Sequence, residues 1–197
     1  MEFLQRLSIA KKIYLIPFIG TVTFLIYLVM ATTTALGNSK TLKNTRDIQF
    51  PVLQTSESAL VSLERVKEAL AGAVTTGDEE ALKNANVLAE QLKKQLGQIG
   101  QLDSALNRET SSIIKTFDDY YAVAFQVSKE MVSNTADMAT IGARSQKMNG
   151  DYENTVKKLT GFRDVELKNF KDAIEEANSA ASSLITVGAI MGLFITC

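Results

Sequence analysis

The sequence has no histidine, one cysteine and two prolines among its 197 residues. The lack of histidine removes the commonest general base and metal ligand, and the single cysteine, Cys197, excludes an internal disulfide. The sequence also lacks a nucleophile–base pair, a phosphate-binding loop and metal-ligand spacing. We therefore expect no enzymatic activity, no catalytic residue, no metal and no cofactor. A formal net charge of −1 gives no basic surface, so nucleic acid is not an expected partner.

Charge is absent from two long runs, Ile13–Ser39 near the N-terminus and Ala177–Cys197 at the C-terminus. A helix needs roughly 20 mostly apolar residues to span the hydrocarbon core of a bilayer. Both runs meet that length. The sequence therefore predicts two membrane helices, at residues 13–36 and 180–197.

The charges beside the first run predict its orientation. Arg6, Lys11 and Lys12 lie just before it, and basic residues tend to stay in the cytoplasm. Residues 1–12 are therefore expected in the cytoplasm and residues 37–179 outside it. In a Gram-negative cell this means a protein of the bacterial inner membrane with residues 37–179 in the periplasm. A cleavable signal peptide also begins with basic residues, but its apolar region is usually about 7–15 residues long. The longer run favours an uncleaved anchor in a multi-pass protein.

The segment between the runs has the pattern of long helices. Ala, Leu, Lys, Glu and Gln are abundant there, and apolar residues recur every three or four positions in four stretches. Such repeats suit helices packed at about 20°. The predicted fold class is all-α, an antiparallel four-helix bundle flanked by two transmembrane helices. The positions expected on the inward faces are Leu53, Leu60, Leu63, Val66, Leu70 and Val74 in the first stretch and Leu82, Ala85, Leu88 or Ala89, Leu92, Leu96 and Ile99 in the second. In the third they are Ile113, Phe117, Tyr120 or Tyr121, Ala124, Val127 and Met131, and in the fourth Met148, Tyr152, Val156, Leu159, Phe162, Leu167, Phe170, Ile174 and Ala177.

Turn chemistry divides the four stretches. Thr75–Asp78 contains a glycine stop followed by acidic residues, which predicts the first turn. Gly97, Gly100 and Asp103 weaken the second helix and predict a turn before about residue 107. These two turns bound the second helix.

The third turn has two candidate positions. Asn149–Asp151 has the local chemistry of a break, whereas helices of matching length require a turn within residues 134–142. We favour the second position. Pro51 predicts a kink or a helix start, because proline lacks the amide donor and clashes with the preceding turn. The residues between the membrane and Pro51 would then form a separate juxtamembrane helix.

The first helix of the predicted bundle has a second face made of small residues around one arginine. If this small-residue stripe contacts the same helix of a second subunit, the protein is a homodimer. Arg65 would then lie in the contact, where its guanidinium suits a carboxylate ligand. The alternative is an exposed stripe with Arg65 paired to a neighbouring glutamate. The stripe consists of Ser58, Ser62, Arg65, Ala69, Gly72 and Thr76.

An aromatic cluster in the third helix allows a pocket or a core interpretation. Helical spacing favours the core. The adjacent Asp118 and Asp119 diverge on a helix, which argues against a catalytic or metal-binding pair. The cluster is Phe117, Tyr120, Tyr121 and Phe125.

Several segments together resemble the N-terminal sensing part of bacterial methyl-accepting chemotaxis proteins. They are Lys11–Leu36, Phe50–Leu53, Leu63–Leu70, Ala73–Asp78, Phe117–Ala124 and the second apolar run. The resemblance implies a dimeric periplasmic bundle that detects a small molecule or a periplasmic binding protein. It carries Arg65 over by position only, because the arginine motif of the amino-acid receptors is not reproduced.

Receptors of this family continue through a HAMP linker into a cytoplasmic coiled coil that binds a kinase and an adaptor. Those partners would be reached only through a part that is missing after Cys197, so we expect a fragment or a natural truncation. No glycine or proline interrupts Asp164–Val187, which favours signalling by displacement of one continuous helix. The alternatives are the input half of a membrane-bound histidine kinase or diguanylate cyclase, and a stand-alone membrane anchor.

Overall fold

A computed structural model describes residues 9–196, with side chains from Tyr14 to Leu193 except Ile16. The described residues form helices and no strand, so the all-α prediction is confirmed. Part of the predicted cytoplasmic segment, residues 1–8, lies outside the described residues, as does Cys197. The long helices are α1 (Ile9–Asn44), α2 (Phe50–Thr76), α3 (Glu79–Leu102), α4 (Asn107–Val132) and α5 (Met138–Thr196).

The chain divides into two compact units. The packed unit comprises residues 46–171, and the terminal unit comprises residues 9–45 with 172–196. In the packed unit α2, α3, α4 and the first part of α5 contribute to one hydrophobic core. Its largest fully buried side chains lie at predicted positions, and Ala89 and Tyr120 are the buried members of the two ambiguous pairs. They include Leu63, Leu92, Leu96, Ile99, Ile113, Phe117, Leu159 and Phe162.

The first and second predicted turns are confirmed. Gly77 ends α2 with φ +66°, a left-handed conformation that favours glycine, and Asp78 accepts a hydrogen bond from the Glu80 amide at 2.8 Å. The second turn begins at Asp103, whereas Gly97 and Gly100 lie inside α3. Both glycines stay helical because helix packing outweighs the modest cost of glycine in a helix.

The third turn lies where helix length predicted it. Helix α4 ends at Val132 and α5 begins at Met138, and the Asp137 side chain accepts a hydrogen bond from the Ala139 amide at 3.0 Å. Gly150 is an interior residue of α5. Helix length was therefore a better guide than local turn chemistry.

The prediction of a separate juxtamembrane helix before Pro51 is wrong. The chain is helical from Pro17 to Thr76, and a five-residue π-helical turn, Thr45–Gln49, leads directly into α2. Pro51 is in the first turn of α2, where a missing amide donor costs least. The wider π-helical turn accommodates the ring that would clash with a regular preceding turn.

The terminal unit pairs α1 with the last part of α5. The Asn38 amide donates to the Ala177 carbonyl at 3.1 Å, and a side chain at Gly188 would lie 2.6 Å from the Tyr27 hydroxyl. The helical stretch Pro17–Thr76 contains an 18-residue window of mean hydropathy 1.8, none of it buried. By length and composition it is sufficient to span a membrane. The second span, at residues 180–197, stays a prediction.

Candidate functional site

A cavity of about 380 Å³ lies in the packed unit between α2, α4 and α5. It is at the end of this unit where α2 approaches its turn at Gly77 and where α4 is joined to α5. Small-molecule sites commonly have volumes of about 300–1,000 Å³ and lie between the helices of bundles. The cavity is therefore the candidate binding site. Its walls include Leu70, Ala71, Val74, Ala124, Val127, Ser128, Met131, Ile141, Ser145 and Met148.

The cavity exists because three helices present small side chains at the same level. Ala71 on α2, Ala124 and Ser128 on α4 and Ser145 on α5 all line it. The largest fully buried side chains of the packed unit, such as Leu92, Phe117 and Phe162, fill the interior elsewhere and do not line the cavity. The unfilled volume is thus a property of three helices together.

A polar network borders the cavity where α2 faces α5. The Tyr152 hydroxyl donates a hydrogen bond to the Glu64 carboxylate. Lys67 lies 3.7 Å from the same carboxylate, measured from Nζ to Oε1, and its ammonium is 4.4 Å from the centre of the Tyr152 ring. The Tyr120 ring packs edge-on against Tyr152 with ring centres 5.3 Å apart. Lys67, Tyr120 and Tyr152 therefore contact one another at one wall of the cavity.

Both cavity tyrosines are kept protonated by their surroundings. Burial raises the pKa of Tyr120 to about 12. Burial, followed by the hydrogen bond to Glu64, also raises the pKa of Tyr152 well above its ordinary value. Each hydroxyl is therefore a neutral hydrogen-bond donor at physiological pH.

An ion pair joins the two helices that meet beside the cavity. Arg144 on α5 binds Glu130 on α4 through two hydrogen bonds, of 2.5 and 3.2 Å. The hydrogen bond from Arg144, and then the one from Gln126, lower the pKa of Glu130. Two parallel bonds constrain orientation as well as distance, so this pair fixes the start of α5 against the end of α4.

The predicted site residue Arg65 does not line the cavity. It is exposed on α2, and no ion pair joins it to another side chain in the described part of the chain. In the small-residue stripe Ser62 is buried and Ala69 is half-buried, while Ser58, Gly72 and Thr76 are exposed. The placement of Arg65 in a dimer contact stays a prediction.

The aromatic cluster belongs mainly to the core, as predicted. Phe117 and Tyr120 are buried, and the Tyr121 ring stacks on Phe117 with ring centres 5.6 Å apart. The Tyr121 hydroxyl donates to Asn86 on α3 at 3.1 Å. Tyr120 combines the two interpretations, since it is buried in the core and also lines the cavity.

Sequence reasoning missed the cavity itself. Its signal was the presence of small or polar residues where the helical pattern expects large apolar ones, at Ser145 and Asn149 on α5 and at Ser128 on α4. Each of these residues alone is ordinary in a helix, so only their coincidence marks a site.

Within residues 9–196 no group of three histidine, cysteine, aspartate or glutamate side chains is placed to hold a metal ion. Asp118 instead lies 3.6 Å from the ammonium of Lys93. Comparison with family models, curated proteins and solved structures gives no significant match to this chain.

Proposed function

We propose that this chain is the sensing part of a transmembrane chemoreceptor, a non-enzymatic module that binds a small extracellular solute and passes a helix displacement across the membrane. The observation that carries the proposal is the cavity of about 380 Å³, whose lining combines apolar side chains with the tyrosines Tyr120 and Tyr152. That combination suits a small organic ligand. The resemblance to methyl-accepting chemotaxis proteins agrees with this use.

The proposed architecture is an antiparallel four-helix bundle in the periplasm, flanked by two helices in the bacterial inner membrane. The shared core of α2 to α5 supports the bundle, and the apolar window in the helical stretch Pro17–Thr76 supports a membrane location. We propose further that α2 forms a homodimer contact that includes Arg65.

The signalling step follows from the course of α5. This helix lines the cavity between Ile141 and Tyr152 and continues to Thr196. A ligand shifts an equilibrium only by its differential affinity for the two states. A ligand that contacts α5 together with α2 and α4 therefore favours one position of α5 relative to those helices. The change between positions can be a small slide of α5, which needs no refolding.

A ligand screen of the natural protein and of a variant whose cavity is filled by a larger side chain tests the proposal. The full chain in nanodiscs is screened by thermal shift against amino acids and organic acids, and at least one compound is expected to raise its melting temperature. The variant Ser145→Phe fills the cavity and should lose that shift. Gln146→Phe adds the same ring at an exposed neighbouring position and should keep it.

The melting temperature without compound shows whether Ser145→Phe is folded. A screen in which no compound stabilises the protein would favour a stand-alone membrane anchor. A shift that persists in folded Ser145→Phe would place binding outside the cavity and contradict the proposal.

A further inference from the structure

The charge of the cavity wall is of one sign. Lys67 is the single ionisable cation among the described lining residues, and no aspartate or glutamate lines the cavity. A cationic ligand would therefore face a like charge with no lining carboxylate to pair with. An anion would gain an attractive partner at the same wall.

The donors at this wall already converge on a carboxylate. The Tyr152 hydroxyl donates to Glu64, and the Lys67 ammonium lies 3.7 Å from it. Glu64 is not a lining residue, and its side chain is 55% exposed. A carboxylate that reached this wall could therefore replace Glu64 at both groups, since each of them already contacts a carboxylate.

From this geometry we infer that the cavity takes a small carboxylate with an apolar body, and that Glu64 is an internal competitor for the Lys67 and Tyr152 donors. The inference rests on the proposed function of the cavity as a ligand site. The apolar body packs among side chains such as Leu70, Val127 and Met148. The ligand carboxylate replaces Glu64 as the partner of Lys67 and Tyr152, and the Glu64 side chain turns to solvent.

This exchange also links binding to helix position. The hydrogen bond from Tyr152 to Glu64 joins α5 to α2. When a ligand carboxylate replaces Glu64, that direct contact between the two helices is lost. Ligand binding therefore changes the restraint on α5 near its start, where the Arg144–Glu130 pair also holds it.

Isothermal titration of the full chain in nanodiscs tests the ligand class. The probes are 2-naphthoate and its neutral isostere 2-naphthamide, and empty nanodiscs measure partition into lipid. The naphthoate is expected to bind at least about tenfold more tightly. Lys67→Gln should weaken naphthoate binding by about tenfold, the loss expected for a hydrogen bond to a charged group. Lys94→Gln, at an exposed position on α3, is the control.

A variant of Glu64 tests its role as an internal competitor for the two donors. Glu64→Gln removes the internal carboxylate's charge and should strengthen naphthoate binding by about two- to fivefold, the range of a partly exposed ion pair. Glu57→Gln removes an exposed charge from the same helix and should leave affinity unchanged. In the Lys67→Gln background the effect of Glu64→Gln should largely disappear, because the two residues share one partner site.

Equal binding of the two probes, no binding of naphthoate, or no effect of Lys67→Gln would overturn the carboxylate assignment. An unchanged affinity in Glu64→Gln would overturn the competitor role. If neutral compounds bind and Ser145→Phe abolishes their binding, this inference fails while the proposed function stands. If no compound of any charge binds, both fail.

Discussion

At the scale of single residues, Glu166 is a carboxyl in an unfavourable place. It is 6% exposed on α5 and accepts a hydrogen bond from the Asn169 amide at 3.3 Å. Burial raises its pKa, and the nearby Glu109 and Asp103 act in the same direction. Because the folded pKa lies above the unfolded one, its favourable contribution is complete below the unfolded pKa. That contribution is lost as the pH rises through the folded value.

The replacement Glu166→Gln is therefore expected to raise the melting temperature at pH 7. Glutamine keeps an acceptor for Asn169 but carries no charge to desolvate. The gain over the natural protein should shrink at pH 4, where the natural carboxyl is protonated as well. Differential scanning calorimetry of the full chain at the two pH values measures this.

Glu153→Gln, at an exposed position of the same helix, should have little effect at either pH. A lower melting temperature of Glu166→Gln at pH 7 would mean that the ionised carboxylate stabilises the fold, contrary to the burial argument.

At the scale of elements, the effect of a side chain on stability differs between a glycine at a helix end and a glycine inside a helix. Gly77 has φ +66°, and an added Cβ there would meet no atom within 4 Å, so any cost comes from backbone conformation. Gly150 also has free space around it, but it lies in the middle of α5. The same substitution should therefore have opposite effects at the two positions.

Gly77→Ala is expected to lower the free energy of unfolding by about 1 kcal/mol, because an L-residue is strained in the left-handed region. Gly150→Ala is expected to raise it by up to about 1 kcal/mol through helix propensity. Denaturant titration followed by circular dichroism measures both. Destabilisation by Gly150→Ala would indicate a break at Asn149–Asp151 and contradict the continuous α5.

At the scale of the whole molecule, one cysteine tests both the topology and the dimer. In a Cys197→Ser background, Ala69→Cys places the only thiol on the small-residue stripe. In intact cells a membrane-impermeant maleimide should label it, because the packed unit is proposed to face the periplasm. Mild oxidation should link it to its twin, because a two-fold contact brings identical residues together.

Val87→Cys is the matched control, at a position on α3 that is 64% exposed. It should be labelled to a similar extent but should not form the crosslinked dimer. Labelling of both variants only after cell lysis would contradict the periplasmic location. Equal crosslinking of the two would contradict a specific contact through α2.

What the sequence determined by itself was local. The spacing of apolar residues predicted the buried faces of α2, α3 and α4, since a helix repeats every 3.6 residues wherever it packs. Gly77 and Asp78 predicted the first turn because helix ends require particular backbone and capping chemistry. The apolar run after Lys12 predicted a helix long enough for a membrane.

Tertiary structure alone decided what depends on several helices at once. Gly97 and Gly100 stay helical because α3 is packed along its length, and Tyr120 is chosen over Tyr121 by the neighbours it meets. The cavity exists because Ala71, Ala124 and Ser145 reach one level on three different helices. Unfilled volume depends on which side chains face each other in space, and the periodicity of a single helix carries no information about that.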